Sequence, residues 1–118
     1  MWLKNRLEKH YIHHLQEFYS RADRRFKLRS GVKTFPSYSE PNKFHLLGYV
    51  QKSYNINGTT YIELKTSNSE PLIITTPKYT DASSLEYQAV LCVGVVEHYN
   101  GIVDNSVFAR TCTEVIVL

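Results

Sequence analysis

The stretch FHLLGYVQKSYNINGTTYIELKTS, residues 44–67, decides the fold. Two alternating apolar segments flank Asn57-Gly58, a dipeptide suited to a tight hairpin turn. Alternate residues of a strand face one side, and the inward row reads Phe44, Leu46, Gly48, Val50. A glycine therefore interrupts it. The segment AVLCVGVVEHYNGIVDNSVFARTC, residues 89–112, repeats the arrangement with Val90, Cys92, Gly94 and Val96. Glycine inside a strand marks a sharp bend or a close backbone approach. A small closed barrel needs such bends because its strands coil around a narrow interior. A flat open sheet does not.

The chain on either side fits that reading. Strands are expected over residues 44–53, 59–66, 71–76, 89–98 and 106–118. Thr80 or Asp81 can cap a short helix through ASSLEYQ, residues 82–88, and Asn100-Gly101 begins the last connection. Residues 44–118 thus form the barrel domain. Before it, Leu3, Leu7, Tyr11, Leu15, Phe18 and Ala22 recur at spacings of three and four, which predicts an amphipathic helix over residues 2–27. Ser30-Gly31 ends the helical region, residues 1–29, and VKTFPSYSEPNK reads as an extended surface linker within residues 30–43.

Charge is unevenly spread. Residues 1–43 hold ten Lys or Arg against four Asp or Glu, and residues 44–118 hold four against seven. A basic arm precedes a mildly acidic body. Arg21, Arg24, Arg25, Lys27 and Arg29 crowd the end of the helix, where the dipole favours positive charge. Five basic residues in nine exceed what a cap needs. Such an arm suits a polyanion or an acidic protein face; the plainer reading is a solvated helix surface.

Several classes are excluded or disfavoured. With 118 residues the chain is one domain's length, and it has no run of 18 apolar residues, so no membrane span is expected. The N-terminus has no continuous apolar core, so no secretory signal is expected, and Glu8 and Glu17 weaken a transit-peptide reading. Cys92 and Cys112 form no CxxC pair; two buried thiols in a reducing intracellular compartment are expected, with a cross-strand disulfide as the alternative. His10 and His14 share a helix face, yet no third ligand is evident, so no metal site and no cofactor are expected. His98 lies beside Glu97 and near Asp104, but neighbours on a strand point to opposite faces, and no nucleophile joins them. No Gly-rich phosphate loop follows a strand. No enzymatic activity is expected.

The order strand, strand, strand, helix, strand, strand, with LLGYV (residues 46–50) opening and LCVGVV (residues 91–96) fourth, resembles an OB-fold. FARTCTEVIVL, residues 108–118, resembles the closing strand of such domains. The likeness is greatest to the small single-domain kind, such as the smallest subunits of replication protein A and of the telomeric CST complex. Those subunits carry a helix after the last strand and assemble through it; here the long helix comes first. The resemblance implies a mainly β protein: a five-stranded OB-fold barrel with a short helix between strands three and four. It also implies binding of single-stranded DNA or RNA through the face of strands two and three and the adjoining loops, QKSYNINGT and HYNGIVDNS.

Alternation turns Tyr49 and Gln51 outward on the first strand, and Tyr61, Glu63 and Lys65 outward on the second. Tyr49, Tyr54, Tyr61 and Tyr99 form the candidate stacking set, with Lys52, Lys65 and Arg110 as nearby cations and the basic run from Arg21 to Arg29 as a second source of charge. Exposed strand tyrosines also suit protein interfaces, and the acidic body fits a protein-only assembly module. In either case the amphipathic helix suggests a partner subunit or self-association.

Overall fold

The computed structural model describes residues 2–77, 82–100 and 107–118, with side chains for residues 5–77, 82–97 and 110–118. It is mainly β, with helices at the N-terminal end. These are α1 (Trp2–Tyr19) and α2 (Ala22–Lys27), and the strands are β1 (Lys33–Pro36), β2 (Phe44–Ile56), β3 (Thr59–Leu64), β4 (Leu72–Pro77), β5 (Ala89–Asn100), β6 (Val107–Thr111) and β7 (Glu114–Val117). Short 3-10 turns occupy Leu28–Ser30 and Ala82–Leu85. The capping residues Thr80 and Asp81, like the connection through Gly101 and Asp104, lie outside the described residues.

Five strands close a barrel. β2 pairs with β3 and β3 with β4, all antiparallel; β4 pairs with β6 in parallel; β6 returns antiparallel to β5, and β5 closes on β2. Asn57 and Gly58 both have positive φ, 52° and 83°, as a type I′ hairpin requires. The hairpin strands run right up to this turn, so most of the expected loop QKSYNINGT is strand. The expected last strand, residues 106–118, is broken: β6 serves β4 and the far half of β5, and β7 serves the near half of β5. Thr113 marks the switch, its amide and hydroxyl both donating to the Val93 carbonyl.

The barrel interior is Leu46, Val50, Ile62, Leu64, Ile74, Leu85, Val90, Cys92, Val95 and Cys112. Both cysteines are free thiols in this core. Burial and a hydrogen bond to Cys112 hold the Cys92 thiol well above its ordinary pKa, the hydrogen bond being the larger cause. A second apolar layer lies outside the barrel. Leu47, Leu91 and Val93 meet Leu15 and Leu28 there, with Tyr11, Ile12, Tyr19 and Phe35 packed around them. The first halves of β2 and β5 are therefore apolar on both faces, which explains the runs LLGYV and AVLCVGVV.

Three expectations for the N-terminal third need correction. The helix is not continuous over residues 2–27: it stops at Tyr19 and restarts at Ala22. The Ser20 hydroxyl donates to the Glu17 carbonyl, and Arg21 is extended at φ −67°, ψ 138°; a serine that bonds its own backbone competes with helix continuation. Within the expected linker, Lys33–Pro36 forms a strand against Phe44–Leu47. The buried face of α1 is also rotated from the expected stripe. Glu8, Tyr11, Ile12, Leu15 and Tyr19 face the barrel, whereas Leu7 and Phe18 are 52% and 42% exposed. Leu3 lies outside the described side chains.

Glu8 sets that rotation. Its carboxylate accepts hydrogen bonds from the Ser37 hydroxyl, from the Tyr38 amide at 2.9 Å, and from His45 Nε2 at 3.0 Å. His45 is 1% exposed, and its Nδ1 accepts the Gly94 N–H at 3.3 Å, which leaves the proton on Nε2 to face Glu8. Gly94 is free to make this bond because it sits in a bulge: pairing jumps from Phe44 opposite Val95 to Leu46 opposite Cys92. Its φ is +67°, in the left-handed region that glycine adopts without penalty. Gly48 serves differently. A Cβ there would lie 2.9 Å from Leu64 Cδ1, so it leaves room for a core side chain.

Candidate nucleic-acid interface

The hairpin register places Tyr54 directly opposite Tyr61. Their rings stack at 5.3 Å between centroids and 6° between planes. Both are half-buried, so one flank of the pair faces solvent. Lys52 Nζ lies 5.4 Å from the Tyr54 ring centroid. Burial, followed by a hydrogen bond to Glu63, pushes the Tyr54 phenol above its ordinary pKa, so the ring stays neutral. Ile56 and Ile73, 51% and 40% exposed, extend the apolar area on neighbouring strands. Lys65 is exposed just beyond β3. This face can offer flat apolar rings next to ammonium groups.

The other expected residues fall elsewhere. Tyr49 does not join the pair: it packs into the layer between barrel and helices, with Arg29 Cζ 4.8 Å over its ring. The bulge between Val50 and Lys52 turns Val50 and Ser53 both inward, so Tyr49 and Tyr54 both face outward. Tyr49, however, stands on the half of β2 that pairs with β5, where the helical layer covers it. Arg110 lines a groove with Phe44 and Leu72 and lies 3.9 Å from the Glu97 carboxylate. The Tyr99 side chain lies outside the described residues.

The basic run is split by its contacts. Arg24 lies 3.7 Å over the Phe18 ring and donates to the Phe18 carbonyl. Arg25 donates to the Leu118 carbonyl at 3.4 Å. These two guanidiniums help hold α2 in place. Arg21 and Lys27 are exposed at the two ends of α2. Arg29 stacks on Phe26 and Tyr49.

Phe26 and Tyr87 went unread as site residues, although they are 66% and 69% exposed. Phe26 is hidden in a basic run with helical spacing. Tyr87 sits in a segment expected to be helical, and only its backbone, at φ +64°, singles it out. Among the described residues no three His, Cys, Asp or Glu side chains gather as a metal site, and no helix is long and apolar enough to cross a membrane. No protein-family model and no curated protein sequence matches the chain.

Proposed function

We propose that this chain is a non-catalytic OB-fold module that binds single-stranded DNA or RNA, directly or as a subunit of a nucleic-acid-processing complex. The observation that carries the reading is the solvent-facing Tyr54–Tyr61 stack beside Lys52. Such a platform takes any base, since every base has a π-face. Support for the OB-fold comes from the closing order β2-β3-β4-β6-β5 with its single parallel pair. The tyrosines stand on the first two strands of that circuit, beside the region OB-folds use for ligands. The kinship expected with the small subunits of replication protein A and CST rests on the same features. The paired core thiols suit a reducing compartment.

The test is a titration of the full chain into labelled oligothymidylate and oligouridylate at two salt concentrations. Binding should be weak and nearly indifferent to sequence. Tyr61→Ala should weaken it at both salts by about 1–3 kcal/mol. Replacing Arg21 and Lys27 with alanine should instead flatten the salt dependence, because fewer counterions are released.

One observation favours a second reading, a protein-assembly module. On α1, Leu7 lies exposed beside Tyr11 and Tyr38, leaving an apolar patch uncovered, and Phe18 is exposed farther along the helix. Binding to neither strand at low salt, where screening is weakest, would leave that reading standing in place of the first.

A further inference from the structure

A groove of about 300 Å³ runs between α2 and the barrel, on the side that carries Tyr49. Arg25 and Arg29 supply two guanidiniums to it, and Phe26, Tyr49 and Tyr87 supply rings. Among the described residues no Asp or Glu side chain forms an ion pair with either arginine. Arg29 Cζ lies 5.2 Å from the Phe26 ring and 4.8 Å from the Tyr49 ring, and the residue is exposed, so its guanidinium can meet an anion from solvent. Arg25 makes one long bond, to the Leu118 carbonyl, leaving its other donors available.

Tyr87 is the observation that points to a ligand. Its backbone is tied to β2: its N–H donates to the Val50 carbonyl at 2.8 Å, and the Gln88 carbonyl accepts from the Val50 N–H at 2.9 Å. That pinned turn holds Tyr87 at φ +64°, a conformation natural to glycine and strained for an aromatic residue. The ring gains little burial in exchange, being 69% exposed. Strain of this kind concentrates at functional positions. Gln88 follows on the groove wall with a carboxamide that can both donate and accept.

We propose that this groove binds one nucleotide unit, the base against Tyr87 and Phe26 and the phosphate on Arg25 and Arg29. The volume, at the lower limit of roughly 300 Å³ for small-ligand sites, admits one such unit. It can come from a free mononucleotide or from the phosphorylated end of a strand. The site lies apart from the Tyr54–Tyr61 stack, so either can fail its test alone.

The experiment follows backbone amides and arginine Nε–H signals of the full-length protein by NMR. Adenosine monophosphate and a 5′-phosphorylated oligothymidylate are titrated separately, with adenosine, ribose 5-phosphate and inorganic phosphate as controls. Saturable shifts at Arg29, Tyr87 and Gln88 are expected. Adenosine monophosphate alone would identify a free-nucleotide site; the oligonucleotide alone would identify a strand-end site. Each control should bind at least about tenfold more weakly. Tyr87→Gly should melt at the same or a higher temperature, because glycine relieves the strained backbone, yet lose about tenfold in affinity. Arg29→Ala should lose a similar factor, and Tyr61→Ala should change nothing at this groove. The proposal is overturned if neither nucleotide gives saturable shifts, if inorganic phosphate binds as well as they do, or if Tyr87→Gly binds normally.

Discussion

At Gly94 an added Cβ would lie 2.8 Å from Thr113 Oγ1, on a backbone already at φ +67°. Thr113 cannot easily retreat, since its hydroxyl is bonded to the Val93 carbonyl at 3.0 Å. Gly94→Ala should therefore destabilise the protein by about 1–3 kcal/mol, read as a shift in denaturant midpoint. Gly48→Ala should cost less, because the obstacle there is the end of a leucine side chain. Both glycines were legible in the sequence as interruptions of an inward row, but their different reasons were not. The φ of Gly94 follows from a bulge, and the crowding at Gly48 comes from a residue on another strand. Glu8 and His45 were illegible for a similar reason, being 37 positions apart with no shared pattern. Their pairing yields a pH prediction. Burial alone would raise the Glu8 carboxyl, but the hydrogen bonds it accepts from Ser37, Tyr38 and His45 outweigh it and hold the pKa below the usual 4.5. The folded value is depressed, so this stabilisation is complete above pH 4.5 and is lost as pH falls through the folded value. The stability gap between wild type and Glu8→Gln should thus be widest near neutral pH and narrow in acid. A gap independent of pH would show that the Glu8 charge contributes nothing.

Helix α1 existed in the sequence as a clear periodicity, and its phase did not. Leu7 and Phe18 belong to the apolar stripe by spacing, but of its described residues only Tyr11 and Leu15 meet the barrel, joined there by Glu8, Ile12 and Tyr19 from beside it. A polar residue drew the helix round, because four groups of the barrel side converge on it or on its partner: Ser37, Tyr38, His45 and Gly94. The consequence is measurable. Leu15 is 4% exposed, so Leu15→Ala should cost about 2–4 kcal/mol. Leu7→Ala should stay within about 0.5 kcal/mol. Equal losses in the two variants would mean that α1 packs by its expected stripe. Element boundaries elsewhere failed for local reasons. β1 ends on Pro36 with Pro41 close behind, a composition that reads as linker. The candidate site divides in the same way. Tyr54 and Tyr61 stand three positions on either side of the Asn57-Gly58 turn, so their pairing could be counted off. Tyr49 faces outward as counted, but it stands on the half of β2 paired with β5, which the helical layer covers, and no count along the strand shows that.

For the molecule as a whole, helix and barrel share one apolar layer and should fold as one unit. Leu47 and Leu91 on the outer face of β2 and β5 are each 0% exposed, and what covers them includes Leu15 and Leu28. Residues 1–29 also carry Glu8, the partner of a histidine buried against the barrel. Removing this segment would strip an apolar face bare and leave His45 without its acceptor, at about 1–3 kcal/mol for the lost bond alone. The basic surplus of residues 1–43 is therefore fastened to the acidic body rather than trailing from it. Calorimetry of the full chain should give one transition in which helix and barrel signals are lost together. The chain lacking residues 1–29 should associate through its exposed sheet face or melt at a markedly lower temperature, which sedimentation and circular dichroism would register. A truncated body that stays monomeric and melts like the full chain would show that the barrel is self-sufficient. The helix would then be an accessory to it, and the apolar layer between them would contribute little to stability.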